Sequence, residues 1–235
     1  MRLTRAKHVF LLLFVLALSA RVVRADADPV LDYRFPAFTD EERRELEKGE
    51  VWVRVESYPG SDVKTGHVIA ILPYPMELIR KVVEDLGRFK EFIPDLLEST
   101  VLEPDRGDGC LFRSGIDLPW PVENRFWTIR VWMFDAQVDG AKVRVQRWEY
   151  VPGSGNIKGT RGRWVMRPYE PDPEKTIVSY FVHTDPGGLI PDFLVNFATK
   201  VYLPELIGAL RERLQAVAEG RLPAAAASAD AGAEQ

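Results

Sequence analysis

Residues 176–214 read TIVSYFVHTDPGGLIPDFLVNFATKVYLPELIGALRERL, and they contain the clearest structural signals in the chain. Its first nine residues, 176–184, are rich in β-branched and aromatic side chains, which is typical of a half-buried strand. The Asp-Pro-Gly-Gly run at 185–188 ends that strand in a sharp turn. From Pro191 onward, apolar residues recur every three or four positions, which predicts an amphipathic helix with a kink at Pro204.

The chain before this stretch predicts mostly strands. Alternation and turn residues indicate strands at 51–56, 66–72, 99–103, 109–117, 124–137, 141–150, 159–169 and 176–184. A short helix capped by Thr39 ends at Gly49, and residues 76–92 form a helix that breaks near Gly87. Consecutive strands joined by tight turns make an antiparallel meander. We therefore predict an α+β fold in which a curved antiparallel sheet wraps around a long C-terminal helix and encloses a hydrophobic cavity.

The N-terminal segment predicts export. Three basic residues precede a ten-residue apolar run at 9–18, which is too short to span a bilayer comfortably, and Ala25-Asp26-Ala27 is a cleavage site. Residues 1–27 are therefore predicted to be a signal peptide, and the location periplasmic or secreted. Because Arg21 and Arg24 follow the apolar run, an uncleaved anchor stays open as an alternative.

The remaining chain predicts one domain with short flanking segments. Residues 28–38 are predicted to be an extended lead-in, residues 39–219 the folded domain, and the Ala-rich residues 220–235 a disordered tail. The whole chain has 31 Lys or Arg against 35 Asp or Glu, and removal of residues 1–27 takes away five basic residues and one acid. Such an acidic domain argues against a nucleic-acid partner. We expect a monomer.

No pattern in the sequence indicates catalysis. Outside the N-terminal segment, His67 and His183 are the only histidines, and they lack metal-ligand spacing. Cys110 is the single cysteine and lies in an apolar strand, where a buried thiol is usually inert. We predict no catalytic residue, no metal and no cofactor.

Two segments carry a resemblance to a known family. HTDPGGLIPDFLVN at 183–196 resembles the START-type junction between the last strand and the C-terminal helix, where a DP-G-x-IP-x-x-x-VN pattern recurs. LPWPVENRF at 118–126 resembles the START segment in which W-P precedes an Arg-led strand, although Phe126 replaces the usual acid. The element order is similar to the helix-grip fold of START domains and the wider Bet v 1-like (SRPBCC) superfamily. Over residues 40–216, the resemblance implies a lipid- or sterol-sized cavity gated by the C-terminal helix and neighbouring loops.

Strand alternation predicts which side chains line that cavity. We expect inward positions on each long strand and on the first turns of the helix. The predicted ligand-binding residues are Trp127, Ile129, Val131, Met133, Val145, Arg147, Glu149, Trp164, Met166, Leu189, Phe193, Phe197 and Val201. Charged Arg147 and Glu149 on an inner face are costly unless they pair or touch a ligand's polar end. A bulge that reverses the register, or a place at the open mouth, would also explain them.

These patterns favour a carrier over an enzyme. The first hypothesis is non-catalytic binding and transfer of a sterol, phospholipid or other lipid, with transient membrane contact through Leu189 and Ile190. In that hypothesis residues 185–190 form the gate. A polyketide cyclase-type enzyme that uses the same cavity is the alternative, and a membrane-anchored interaction protein is another.

Overall fold

The computed structural model describes residues 28–188 and 202–223. Its helices are α1 (Asp40–Glu47), α2 (Met76–Val83) and α3 (Leu203–Ala218), with 3-10 turns at Pro29–Leu31 and Leu86–Glu91. Its strands are β1 (Trp52–Ser57), β2 (Lys64–Leu72), β3 (Leu96–Glu103), β4 (Cys110–Ile116), β5 (Arg125–Val138), β6 (Ala141–Tyr150), β7 (Gly159–Tyr169) and β8 (Asp172–Asp185). The predicted signal peptide and residues 224–235 of the predicted tail lie outside the described residues.

The eight strands form one antiparallel sheet in the order β1-β2-β8-β7-β6-β5-β4-β3. Strands β3 to β8 are a meander, and the β1–β2 hairpin joins its far edge through β8. Strand β8 pairs with β2 over eight residues and with β7 over eleven. The predicted α+β architecture of an open antiparallel sheet with a C-terminal helix is confirmed.

Local signals in the sequence account for the first two helices. Thr39 and Glu42 form a reciprocal capping box at the start of α1, which satisfies free N–H groups of its first turn. Gly49 follows this helix with a φ of 97°, a conformation that glycine adopts without steric cost. The helix predicted at 76–92 is two pieces, α2 and the 3-10 turn at Leu86–Glu91, as the weak helix propensity around Gly87 suggested.

Helix α3 covers the inner face of the sheet. Pro204 lies in the first turn of the described helix, a position that tolerates proline. The predicted kink at Pro204 involves the residues before 202, so it lies outside the described residues. Leu206, Leu210 and Leu214 are almost fully buried against inner-face residues of the sheet and α2. This part of the predicted apolar stripe is therefore core. The predicted start of the helix, residues 189–201, lies outside the described residues.

The outer face of the sheet is also covered. The lead-in, residues 28–38, crosses it, with Val30 only 1% exposed. Tyr33 packs edge-on against Phe134, and Phe35 lies against Val143, Val145 and Val165. None of the described helices is long and apolar enough to cross a membrane.

Candidate ligand cavity

A cavity of about 360 Å³ lies between the inner face of the sheet, the Leu86–Glu91 turn and α3. Its walls are mostly apolar and aromatic. The side chains that form them include Leu86, Phe89, Ile93, Phe112, Ile116, Leu118, Trp127, Ile129, Val131, Trp148, Trp164, Tyr180, Val182, Leu203 and Leu206. Such a lining is suited to a hydrophobic ligand.

One end of the cavity lies where strand ends and loops meet. Lys64 begins β2, Thr160 lies at the start of β7 and Thr184 at the end of β8, and all three line the cavity at this end. Leu118 and Pro119 of the β4–β5 loop also line it. We call this end the mouth. Further in, Val178 and Met166 are fully buried in the solid core, so the cavity ends above them.

An aromatic cluster forms the inner part of the sheet wall. The Tyr180 ring lies 4.6 Å from the Trp164 ring and 5.5 Å from the Trp148 ring, measured between centroids. Gly162 permits this arrangement, because a Cβ there would lie 2.3 Å from the Trp148 ring and from the Phe181 carbonyl oxygen. The cluster combines a large apolar surface with three polar tips.

Two phenols in the cavity have unused hydroxyl groups. Among the described residues, neither Tyr180 nor Tyr202 makes a hydrogen bond through its hydroxyl, and neither oxygen is sealed from the cavity. Burial raises the pKa of Tyr180 well above its ordinary value, and the nearby Tyr202 phenol raises it further. Burial likewise raises the pKa of Tyr202, with a contribution from Asp95. Both groups stay protonated at physiological pH and are available as hydrogen-bond donors.

Gln146 adds a carboxamide to the inner wall. It is 2% exposed, and its Nε2 donates to the Val83 carbonyl oxygen of α2 at 2.9 Å. This bond orients the carboxamide, whose Oε1 is left as an acceptor. Gln146 is directly opposite Trp164 on β7 and Met133 on β5, so all three share the inner face.

The sequence and the fold both match known proteins. Residues 72–211 match the family described as polyketide cyclase / dehydrase and lipid transport. The chain belongs to this family. An uncharacterized protein of Pseudomonas aeruginosa is 29% identical over 151 residues, which cover 62% of this chain and 73% of that relative.

Solved structures show that the domain is START-like. A fragment of a STAR-related lipid transfer protein from Xanthomonas axonopodis superposes with a TM-score of 0.60 at 26% identity, covering 70% of this chain and 93% of that one. Human STARD10 superposes with a TM-score of 0.57 at 13% identity, covering 79% and 83% of the two chains. The second likeness is one of fold alone.

Six of the predicted site residues lie on the inner face of this START-like domain. Trp127, Ile129, Val131 and Trp164 line the cavity. Met166 belongs to the inner core, and Met133 packs against it. Contact of these residues with a ligand stays a prediction. Leu189, Phe193, Phe197 and Val201 lie outside the described residues.

The predicted inward direction of Val145, Arg147 and Glu149 is wrong. Val131 pairs with Trp148 and Met133 with Gln146, so the even-numbered residues of β6 face inward. Val145 packs in an outer cluster beneath the lead-in, and the Arg147 guanidinium lies 4.6 Å from the Trp132 ring on the same outer face. The alternation misled because this sheet buries apolar side chains on both faces, so polarity does not distinguish the faces.

Sequence reasoning missed Gln146, Trp148 and Tyr180. The available signal was Trp148, since an aromatic residue flanked by Arg147 and Glu149 indicates that the charged neighbours face the other way. Correct pairing of β6 with β5 would then have brought Gln146 inward. Tyr180 gives no such signal, because Val178, Tyr180 and Phe181 are all apolar or aromatic and buried or half-buried.

The two histidines and the cysteine lie away from the polar groups of the cavity. His67 contacts Ser179 on the outer face through Nε2 at 2.8 Å, and His183 stacks on Tyr58 at 4.0 Å. Burial raises the pKa of the Cys110 thiol, and burial lowers the pKa of His183. In the described ranges, no three metal-binding side chains are grouped together.

Proposed function

We propose that this protein binds one hydrophobic ligand in its cavity and transfers it without covalent chemistry. The observation that carries the proposal is the cavity itself, about 360 Å³ and lined mostly by apolar and aromatic side chains. Apolar area removed from water contributes about 25 cal/mol per Å². The STAR-related lipid transfer protein from Xanthomonas axonopodis, which shares the fold at 26% identity, supports a lipid as the ligand.

The uncharged polar groups of the cavity support binding rather than catalysis. Tyr180 and Tyr202 are phenols whose raised pKa values keep them protonated, so neither is a general base at neutral pH. Thr160 and Thr184 hydrogen-bond to each other at 2.7 Å. Such neutral groups orient a ligand by hydrogen bonds and perform no bond cleavage by themselves.

The mouth contains a contact suited to a gate. Arg125, at the start of β5, donates from Nε to the carbonyl oxygen of Pro186 at 3.1 Å and from Nη1 to that of Glu123 at 2.7 Å. It thereby joins the β4–β5 loop to the junction that follows β8. Opening this junction is our proposed route for ligand entry, and Gly187 and Gly188 supply the backbone freedom it needs.

A membrane is the proposed source and destination of the ligand. Trp120 is 92% exposed and lies next to the mouth residues Leu118 and Pro119. Tryptophan favours the boundary between water and lipid, because its ring is apolar and its N–H is polar. We further propose, from the predicted signal peptide, that the protein acts in the periplasm or outside the cell, as a monomer with one ligand per chain.

The test combines ligand discovery with a matched pair of substitutions. Native mass spectrometry of the protein purified from its own cells should show a co-purified lipid at one copy per chain. Trp127→Ala, on the cavity wall, should reduce lipid occupancy strongly. Trp132→Ala, on the outer face of the same strand, should leave occupancy per folded molecule unchanged. Equal occupancy in both variants, or a chain that never carries a hydrophobic molecule, would refute the proposal.

Catalysis on a polyketide-like substrate is the second candidate. It is favoured by the family description and by the two protonated phenols, which can donate hydrogen bonds to a substrate carbonyl. Recovery of the bound ligand after prolonged incubation distinguishes the candidates. A carrier returns the ligand with its mass and chromatographic retention unchanged. A dehydrase returns a product lighter by one water, and a cyclase returns a product with altered retention.

A further inference from the structure

We propose that the inner end of the cavity is a subsite for an uncharged hydroxyl group, so that the ligand is a hydrophobic alcohol bound with its polar end innermost. This inference rests on the proposed function and narrows it to one chemical class. The subsite consists of Tyr180, Gln146 and the Trp164 indole, with Tyr202 opposite on the helix side.

Strand register places the three sheet residues in one row. Gln146 is directly opposite Trp164, and Trp164 is directly opposite Tyr180. Residues paired in this way on one face have Cβ atoms about 5 Å apart, within reach of a single ligand group. Tyr180 lies four residues inward from Thr184 at the mouth, which corresponds to about 13 Å along the strand. The row therefore lies at the deep end, next to the solid core at Val178 and Met166.

The unused hydrogen-bonding groups of this row are complementary to a hydroxyl. The Tyr180 phenol and the Trp164 indole are donors with no partner among the described residues. Gln146 has committed its Nε2 to Val83, so its Oε1 remains as an acceptor. A ligand hydroxyl both accepts and donates, and it can satisfy a donor and an acceptor of the row at once. An unsatisfied buried polar group is costly, so each bond formed favours this ligand.

Charge is distributed in a way that excludes an ionised head group from the inner end. The charged residues that line the cavity in the described part of the chain are Lys64, Asp95, Asp117 and Arg125. All four lie at strand ends or loops on the mouth side, and the deep row carries only neutral groups. Moving a carboxylate or phosphate into such surroundings costs far more than moving a hydroxyl.

The test uses one hydrocarbon chain with four head groups. The probes are 9,10-dibromo-octadecanol and the corresponding methyl ester, carboxylate and phosphate, delivered from a cyclodextrin carrier at pH 7.5. Their bromine atoms quench the tryptophans that line the cavity. A Trp120→Phe background removes the signal of the exposed indole. We expect the alcohol to bind at least about tenfold more tightly than the carboxylate or the phosphate, with the ester between them.

Substitutions assign the preference to the row. Tyr180→Phe and, separately, Tyr202→Phe should weaken binding of the alcohol about 2- to 12-fold, the effect of losing one hydrogen bond. Gln146→Met should weaken binding of the alcohol and leave binding of the ester unchanged, because an ester has no proton to donate to Oε1. Tyr33→Phe removes a phenol hydroxyl from the outer face and should leave the affinity for all four probes unchanged.

The outcomes separate this inference from the proposed function. Quenching by every probe with equal or tighter binding of the carboxylate or phosphate overturns the hydroxyl subsite and leaves the cavity as a ligand site. Unchanged binding of the alcohol in both the Tyr180→Phe and the Gln146→Met variants, each shown to be folded by its thermal melt, overturns the subsite as well. No quenching by any probe overturns the proposed function itself.

Discussion

His67 illustrates how this domain buries a titratable side chain without using it for chemistry. Its ring lies edge-on to Trp52 and Phe181, at 5.3 and 5.6 Å between centroids, and its Nε2 contacts the Ser179 hydroxyl. Burial lowers the pKa of His67 to about 3, and the neighbouring Arg163 and Arg54 contribute to the same shift. The ring is therefore neutral in the folded protein at any ordinary pH.

This shift predicts loss of stability in acid. The folded pKa is below the unfolded value near 6.5, so between pH 6.5 and 3 the unfolded chain binds more protons. The free energy of unfolding should thus fall by about 1.4 kcal/mol per pH unit as pH drops through this window. Urea unfolding at pH 7.5 and 4.5 should show wild type losing about 3 kcal/mol more than His67→Gln.

The same comparison controls for other acid-sensitive groups, because both proteins share them. Glutamine keeps a polar group facing Ser179 and has no titrating ring. Identical pH dependence in the two proteins would show that His67 does not control acid stability.

A second prediction at the scale of single residues concerns the crowding around Gly162. A Cβ at this position would lie 2.3 Å from the Trp148 ring and from a backbone carbonyl oxygen, so Gly162→Ala must displace the ring or the strand. We expect a loss of about 1–3 kcal/mol in unfolding free energy together with weaker ligand binding. Gly159→Ala, in the same strand with nothing within 4 Å of the added Cβ, is the control and should be close to neutral. Equal stabilities in chemical denaturation would contradict the crowding.

Among the structural elements, the lead-in, residues 28–38, makes its own polar contacts with the outer face of the sheet. Its Pro29 carbonyl oxygen accepts a hydrogen bond from Arg163 Nη1 at 2.8 Å, and Asp28 pairs with Arg161 at 2.8 Å. Arg163 is 3% exposed, and burial lowers its pKa to about 10. The lead-in therefore covers a cation that would otherwise be in contact with water, and it makes the outer face a second buried layer.

Neighbouring residues of the lead-in allow a matched test. Val30 is 1% exposed and Leu31 is 50% exposed. Val30→Ala should lower the free energy of unfolding by about 1–3 kcal/mol, through lost burial and the cavity left behind. Leu31→Ala should lower it by less than about 0.5 kcal/mol. If thermal and urea unfolding show no difference between the two, the lead-in contributes nothing to the fold.

At the scale of the whole molecule, the cavity mouth and Asp28, the first described residue, lie at the same end of the sheet. The Asp28 carboxylate accepts a hydrogen bond from the Tyr58 hydroxyl at 2.5 Å, and Tyr58 stacks on His183 near the end of β8. Thr184 of the same strand lines the mouth. The first described residue, Asp28, therefore lies at the mouth end of the sheet. If the anchor alternative holds, the opening lies near the membrane that holds the anchor.

Trp120 predicts a defect in transfer without a defect in binding. Trp120→Ser should slow ligand transfer between vesicles by about fivefold or more, because the proposed membrane contact loses its interfacial anchor. Equilibrium binding and the melting temperature should be unchanged, since the side chain is 92% exposed. Leu102→Ser changes an exposed apolar residue at the opposite end of the sheet, and a transfer rate equal to that of Trp120→Ser would exclude a specific role for the mouth.

How far the site could be predicted differs between two neighbouring strands. On β7, the predicted inward residues Trp164 and Met166 lie on the inner face, and their neighbour Arg163 lies on the outer face. On this strand charged residues alternate with large apolar residues, so the sequence is consistent with only one assignment of the two faces. On β6 the apolar residues Val143 and Val145 favoured the wrong face, because the lead-in buries them from outside. No local pattern reveals a cover contributed by residues more than a hundred positions away.

The elements, their order and the antiparallel sheet with its C-terminal helix could be predicted from local patterns, because periodicity, caps and turn residues act over a few neighbouring positions. Tertiary structure alone decided which face of β6 lines the cavity, that the lead-in belongs to the domain, and that Tyr180, Trp164 and Gln146 meet in one row. Those facts depend on strand register and on packing between distant segments. The free energies that set them come from contacts that no single segment contains.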